Sequence, residues 1–183
     1  MVNIIDLVPI IIGMPTGLKQ SSSTVAIGFG VTEDVANTFK QGSVDLNLSP
    51  LDREVFVVTA INLDPLAPDA IQNADTQTNA SLTTTSQTEV ATLANSNCLA
   101  TANLDIRAKG FGDGGVSFTR MGAESPPATL DYIGIIATND FFVQVKGFGN
   151  TAIKAVFGKV YGYRAVASAD IYAALVQSEV LSA

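Results

Sequence analysis

The sequence predicts a mainly β protein, a single-domain antiparallel β-sandwich or jelly roll with a C-terminal helix. Three observations lead to this prediction: short apolar or alternating runs divided by turn residues, few charges, and a change to helical spacing near the end. The 183 residues are enough for one domain with a full core. We assign 1–23 to an N-terminal arm or edge strand, 24–165 to a β-rich core and 166–183 to the helix.

The first third of the chain contains short strand patterns. Met1–Met14 is apolar and ends in a Pro-Gly turn, which predicts a strand or an extended arm. Thr24–Val31 has the β-branched and aromatic composition of a strand. Residues 32–39 allow either a capped helical turn or more strand. Ser43–Leu48 alternates apolar and polar residues, as a half-buried strand does.

The middle of the chain joins the most apolar strand to the most polar tract. Arg53–Leu63 is rich in β-branched residues on both faces, so we expect it at the centre of the core. Gln72–Thr88 is low in hydrophobicity and predicts a long surface loop, with room for one strand at Ala80–Thr85. Glu89–Lys109 fits a helix or two short strands. Gly110–Gly115 predicts a flexible turn.

The last third predicts three successive strands and a helix. After a strand at Val116–Met121, the apolar or alternating runs are Asp131–Thr138, Phe141–Gly147 and Ala152–Arg164. Short separators at Asn139-Asp140 and Gly147–Asn150 have hairpin composition, which predicts an antiparallel meander. Ser168–Leu181 changes to helical spacing, with Tyr172, Leu175, Val176 and Val180 on one side and Ser168 as N-cap.

Composition points to surfaces shared between subunits. Hydrophobic residues make up 47% and charged residues only 15%, with a mean hydropathy of +0.32. The longest apolar run, Leu7–Met14, is too short for a membrane helix. The first positive charge is Lys19, so the N-terminus lacks the basic region of a secretion signal. We therefore expect a chain made in the cytoplasm and without a membrane span.

Catalytic chemistry is poorly represented. The chain has no histidine and one cysteine, which excludes His-based triads and thiolate zinc sites. Cys98 is interpreted as a small buried hydrophobe. Neighbouring acids at Glu33-Asp34, Asp52/Glu54 and Asp64/Asp69 lie at predicted turns, where carboxylates commonly cap backbone groups. We expect no enzyme activity and no catalytic, cofactor or metal site; a hydrolase with two converging carboxylates is the alternative.

Nucleotide and nucleic-acid binding have weak support. Gly110–Gly115 matches G-x-G-x-x-G, but the dinucleotide motif needs a strand before it and a helix after it, and here a strand follows. The net charge is −7, although residues 106–169 carry about +3 and the rest about −10. This polarity could orient subunits head to tail or turn a mildly basic face toward nucleic acid; a solvated charge pattern is the alternative. Aromatic residues near Lys146, Lys154 and Lys159 fit a core better than a base-stacking platform.

Over Thr24–Arg164, the succession of about eight short strands, a polar tract and few charges resembles the single jelly-roll capsid proteins of small icosahedral viruses. The resemblance implies a self-assembling coat protein that is located in the virion and contacts copies of itself and other virion proteins. The sequence departs from many such proteins because it lacks an Arg/Lys-rich N-terminal arm, which puts genome binding in doubt. Internal packing is then the role expected of Met1–Met14.

The surfaces expected to bind subunits are the proline-bounded loops and the helix Ser168–Leu181. The alternative function is a β-sandwich binding module of a fibre or adhesin that recognises carbohydrate or a surface partner. In that case Gln72–Thr88 would be the recognition surface.

Overall fold

The computed structural model describes residues 16–110, 115–122 and 130–181, and within them the chain forms ten strands and one helix. The strands are β1 (Leu18–Gln20), β2 (Val25–Thr32), β3 (Lys40–Asp45), β4 (Glu54–Pro65), β5 (Thr76–Thr83), β6 (Cys98–Arg107), β7 (Val116–Gly122), β8 (Gly134–Ile136), β9 (Asp140–Phe148) and β10 (Ala155–Ala167). The helix α1 covers Ala169–Leu181 and directly follows Ser168, whose carbonyl accepts the N–H of Tyr172 at 2.9 Å.

The strands form two antiparallel sheets. Sheet A has the order β2-β10-β4-β8, with β1 paired to the far end of β10, and sheet B has the order β3-β9-β5-β6-β7. The pairs β2–β10, β3–β9, β4–β8 and β5–β6 are nested one inside another along the chain. A long two-stranded ribbon rolled into a sandwich has this pairing, which is the strand order of a jelly roll. The mainly β fold with a C-terminal helix is therefore confirmed.

The main core lies between the sheets. Phe56, Val58, Ile61 and Leu63 of sheet A contact Leu82, Val143 and Val145 of sheet B, together with other buried residues. The ring of Phe29 meets the ring of Phe141 edge to face, with centroids 5.9 Å apart. β4 is buried along most of its length, so the predicted central strand at Arg53–Leu63 is confirmed.

An extra residue in β4 changes which side chains face the core. Tyr161 is opposite Ala60 and Gly162 is opposite Val58, so Thr59 is left over as a bulge. Its hydroxyl donates to the carbonyl of Tyr161 at 3.1 Å. The bulge reverses which alternate residues of β4 face outward. Before it the outward residues are the apolar Val55 and Val57, and after it they are small or polar.

A second, smaller core lies under α1 on the outer face of sheet A. Val55, Val57, Ala165 and Ala167 are buried there against Ile171, Tyr172, Leu175 and Val176. The helix covers the half of the sheet before the bulge. Val180, which the sequence placed on the same side as Tyr172, is instead exposed, and the buried residue of this last turn is Glu179.

Three sequence predictions about the middle and end of the chain are wrong. Gln72–Thr88 is not a long surface loop, because residues 76–83 form the central strand β5 between β6 and β9. The strand for which the sequence left room, at Ala80–Thr85, overlaps β5 at residues 80–83. Ala80 and Leu82 supply its core face, and polar residues fill the other face. The placement of Val180 on the buried side of the helix and the meander at residues 131–164 are the other two wrong predictions.

The predicted meander at residues 131–164 does not form. β8 and β10 pair with β4 in sheet A, whereas β9 pairs with β3 and β5 in sheet B. The separators at Asn139-Asp140 and Gly147–Asn150 therefore connect opposite sheets and are not hairpin turns. Turn composition predicts that the chain reverses direction. It does not predict which strand the next strand pairs with, because this depends on which sheet buries that strand.

Other ambiguous segments have definite outcomes. Residues 84–97 form a loop and 98–107 form β6, so Glu89–Lys109 contains one strand and no helix. Residues 33–39 form turns between β2 and β3. The predicted strand at Ser43–Leu48 begins earlier, as β3, and ends at Asp45. The predicted arm Met1–Met14 lies outside the described residues.

Candidate functional site

Glu33, one of the paired acids, is a buried structural residue. It follows β2, and its two carboxylate oxygens accept the N–H groups of Gly147 at 2.6 Å and Lys154 at 2.8 Å. The Glu33 N–H also donates to the carbonyl of Lys154 at 2.9 Å. Because both oxygens cap backbone donors of β9 and of the approach to β10, the side chain joins the two sheets at this end.

Asp69 lies beside this cap and pairs with Lys154. The Nζ of Lys154 is 2.5 Å from the Asp69 Oδ1, and the lysine side chain is only 6% exposed. The other oxygen of Asp69 accepts the N–H groups of Thr151 and Ala152, at 2.8 and 2.9 Å. The Lys154 ammonium and then the Ala152 N–H hold the pKa of Asp69 well below its usual range. The pair is a closed salt bridge, with both charges satisfied.

The remaining acids of the predicted pairs are separated by the fold. Asp34 pairs with Lys40 on the surface, and Asp52 accepts the hydroxyl of Ser49 at 2.7 Å. Glu54 accepts Arg164 at 3.2 Å. Asp64 stays on the outer face of sheet A. Residues 16–110, 115–122 and 130–181 contain no cluster of three or more acid, cysteine or histidine side chains able to hold a metal ion.

The glycine-rich segment lies between two strands. β6 ends at Arg107 and β7 begins at Val116, and Gly110 has a φ of +90°. A dinucleotide motif requires a helix after the glycines, whose N-terminus binds the phosphates. The flanking elements here are two strands, so the described context does not match that motif.

Cys98 begins β6 and lines a cleft of about 280 Å³ between α1, β8 and the loop 84–97. Burial raises the pKa of its thiol to about 11. Glu179 lines the same cleft and accepts the N–H groups of Ala137 and Thr138, at 3.1 and 2.9 Å. Burial raises the pKa of Glu179 above its usual value. At neutral pH Cys98 is therefore a thiol and not the nucleophilic thiolate. The Glu179 carboxyl group is held in place by the two backbone donors.

Ion pairs neutralise the basic excess of residues 106–169. Arg107, Lys146, Lys154 and Arg164 pair with Asp75, Glu89, Asp69 and Glu54 respectively, and each of these acids comes from another part of the chain. The charge asymmetry of the sequence therefore does not give these four cations to one basic face.

The polar face of β5 is covered. Ser81 donates to Gln144 at 2.7 Å, and Gln144 donates to Thr83 and Gln41 at 2.7 and 3.0 Å. The loop 84–97 closes over this network, since the Ala91 N–H donates to Ser81 at 2.9 Å. These side chains are engaged with one another, and Ser81, Thr83 and Gln144 are buried. The proposed recognition surface on Gln72–Thr88 is therefore largely absent from the outside of the described fold.

β7 extends sheet B beyond the sandwich. It pairs with β6 along its length, and no other described strand pairs with its second edge. Val116 and Phe118 point to one face and are 50% and 52% exposed, and Ser117, which points to the other face, is also exposed. A strand with an open edge and exposed apolar side chains is a site for association. Sequence analysis identified the strand but missed this exposure, which depends on the neighbouring strands.

The half of sheet A that α1 leaves uncovered carries a second exposed surface, hereafter the open face. It consists of outward residues of β10 (Phe157, Lys159 and Tyr161), of β4 (Asn62 and Asp64) and of β2 (Gly28 and Gly30). They surround an open depression of about 480 Å³. The aromatic residues were expected in the core, and Phe141 lies there, but Phe157 is 48% exposed.

Within the described ranges, no helix has the length and apolar character that crossing a membrane requires.

No protein-family model matches the chain, and no curated protein matches it. Among solved structures, one titled Desmodium yellow mottle tymovirus aligns with 85% of this chain and 95% of that chain, at 11% sequence identity and a TM-score of 0.30. A similarity this low assigns no family, so the functional conclusions rest on the strand order and on the exposed surfaces of the chain itself.

Proposed function

We propose that this chain is a non-enzymatic structural protein that assembles with copies of itself, and that the assembly is a viral capsid. The observation that carries the proposal is β7: Val116 and Phe118 are about half exposed on a strand whose second edge is unpaired among the described residues. A soluble domain ordinarily shields such an edge by charge, proline or a covering element. Pairing with a second subunit would shield it here.

Two further properties support the same function. The strand order is that of the jelly roll, which capsid proteins use among other proteins, so the fold permits this role but does not by itself imply it. Charged residues make up only 15% of the chain, which favours protein neighbours over full hydration. The carboxylates of Glu33 and Asp69 are occupied by backbone donors and an ion pair, which favours a structural role over hydrolysis for these two residues.

The test is the mass of the native protein by light scattering, followed by electron microscopy of the eluted species. We expect particles of many copies. Phe118→Glu places a charge on the open edge strand, and we expect it to reduce the mass toward that of the 19.0 kDa chain without changing the circular dichroism.

Leu93→Glu is the matched control, because Leu93 is an apolar residue in the loop 84–97, outside the proline-bounded loops, and is 59% exposed. It should leave the particle mass unchanged. A protein that stays monomeric across a wide concentration range would contradict the proposal, and a particle that tolerates Phe118→Glu would exclude β7 as the contact.

A further inference from the structure

The open face of sheet A presents two aromatic rings in one row. Phe157 and Tyr161 lie four residues apart on β10 before its irregularity, so their side chains point to the same face. At about 3.3 Å per residue, their attachment points are about 13 Å apart. Lys159 lies between them. The row is therefore longer than one sugar ring or one amino-acid side chain.

The strand on one side of this row, β2, has no side chains beside Phe157 and Lys159. Gly30 is the register partner of Phe157, and Gly28 is the partner of Lys159. A Cβ on Gly30 would lie 2.9 Å from the Phe157 ring, so the ring rests directly over the glycine. A Cβ on Gly28 would have the carbonyl oxygen of Gly158 as its nearest neighbour, at 4.0 Å, so it would clash with nothing. The Phe157 ring thus packs against the glycine backbone of β2 on one side and is exposed on the other.

The strand on the other side supplies hydrogen-bonding groups. Asn62 is the register partner of Lys159, and Asp64 is the partner of Phe157. Within the described residues, no hydrogen bond or ion pair occupies the side chains of Asn62, Asp64 or Lys159. An amide, a carboxylate and an ammonium are therefore available beside two apolar rings.

This combination fits a ligand with an apolar face and a polar rim. A pyranose ring has both, since its axial C–H groups stack on an aromatic ring while its hydroxyls donate to and accept from amide, carboxylate and ammonium groups. Lys159 is the one cation of the open face and shares it with the Asp64 carboxylate, and the chain carries −7, so a nucleic-acid strand is disfavoured. We propose that the open face binds a neutral oligosaccharide, stacked on Phe157 and Tyr161 and hydrogen-bonded to Asn62, Asp64 and Lys159.

The test is binding of the native protein to an array of neutral glycans, with heparin and oligo-dT as charged probes. We expect at least one neutral oligosaccharide to bind and neither polyanion to do so. Phe157→Leu keeps apolar volume over Gly30 but removes the flat ring, and we expect it to weaken binding about tenfold or more. Phe157→Trp keeps a flat ring and should retain binding.

Phe148→Leu is the matched control, because Phe148 is an exposed phenylalanine on sheet B, at 60% against 48% for Phe157. It should leave glycan affinity unchanged. Absence of binding to every neutral glycan, or equal binding by the Phe157→Leu protein, would overturn the inference. A change in particle mass on Phe157→Leu would show that a second subunit covers this face, which also overturns it. Because glycan affinity and particle mass are separate measurements, a monomer that binds glycan would contradict only the assembly proposal.

Discussion

Lys154 and Asp69 form an ion pair of 2.5 Å at the end of the sandwich where the turn after β2 meets the approach to β10. The lysine also donates to the carbonyl of Ala67 at 3.1 Å, and its backbone N–H donates to Glu33. One residue thereby joins three segments that are far apart in sequence.

Removing the Lys154 ammonium should destabilise the fold, because the Asp69 carboxylate is then left without its counter-ion. Lys154→Met leaves Asp69 without its counter-ion in a site that is only 24% exposed, and we expect a loss of about 2–4 kcal/mol in unfolding free energy. Urea unfolding measures it. Lys40→Met is the control, since the Lys40–Asp34 pair is exposed and should contribute less than about 1 kcal/mol. Equal losses would contradict a special role for the buried pair.

Asp69 should also make stability depend on acid. Its pKa is lowered in the folded state, so its contribution is complete above the usual value of 3.8 and is lost as the pH falls through the folded pKa. Asp69→Asn should therefore flatten the decline in unfolding free energy below about pH 4. Denaturant titrations at several pH values measure this slope, and an unchanged acid limb would contradict the assignment.

Glu179 should act in the opposite direction. Burial raises its pKa, so its contribution is complete below the usual value of 4.5 and is lost as the pH rises through the folded pKa. Glu179→Gln should remove this loss, so that the variant's stability changes less than that of the unmodified protein from pH 4.5 to 7. Hydrogen exchange of the Ala137 and Thr138 N–H groups reports whether the contact survives. Identical pH profiles would contradict the prediction.

Substitution of two glycines with positive φ, Gly149 and Gly110, distinguishes destabilisation by backbone strain from destabilisation by steric clash. Gly149→Ala would place a Cβ 2.5 Å from the carbonyl oxygen of Asp75, whereas Gly110→Ala would meet no described residue within 4 Å. Both require the left-handed region, at +68° and +90°, which costs about 1–2 kcal/mol for a residue with a Cβ. We expect the Gly149 variant to lose clearly more unfolding free energy than the Gly110 variant. Equal losses would mean that the loop relaxes around the new methyl group.

The strands that could be predicted are those whose apolar pattern is local. Arg53–Leu63 has apolar residues on both faces and lies in the core as β4, because β-branched runs bury well in any sheet. The helix after Ser168 was also predictable, since its cap and spacing are short-range features. The polar strand β5 was predicted only in part, because its outward residues hydrogen-bond to Gln144, 63 residues further along the chain, and to the covering loop 84–97.

The functional surfaces show the same division. The sequence by itself determined the absence of histidine chemistry, the low charge and the β-rich class, because these depend on composition and period alone. Only the tertiary structure decided that β8, β9 and β10 alternate between sheets, that acids from elsewhere neutralise the basic segment, and that Phe157 and Phe118 face outward. Each of these depends on which strand lies beside which, and long-range pairing is set by the burial of whole sheet faces rather than by any local run of residues.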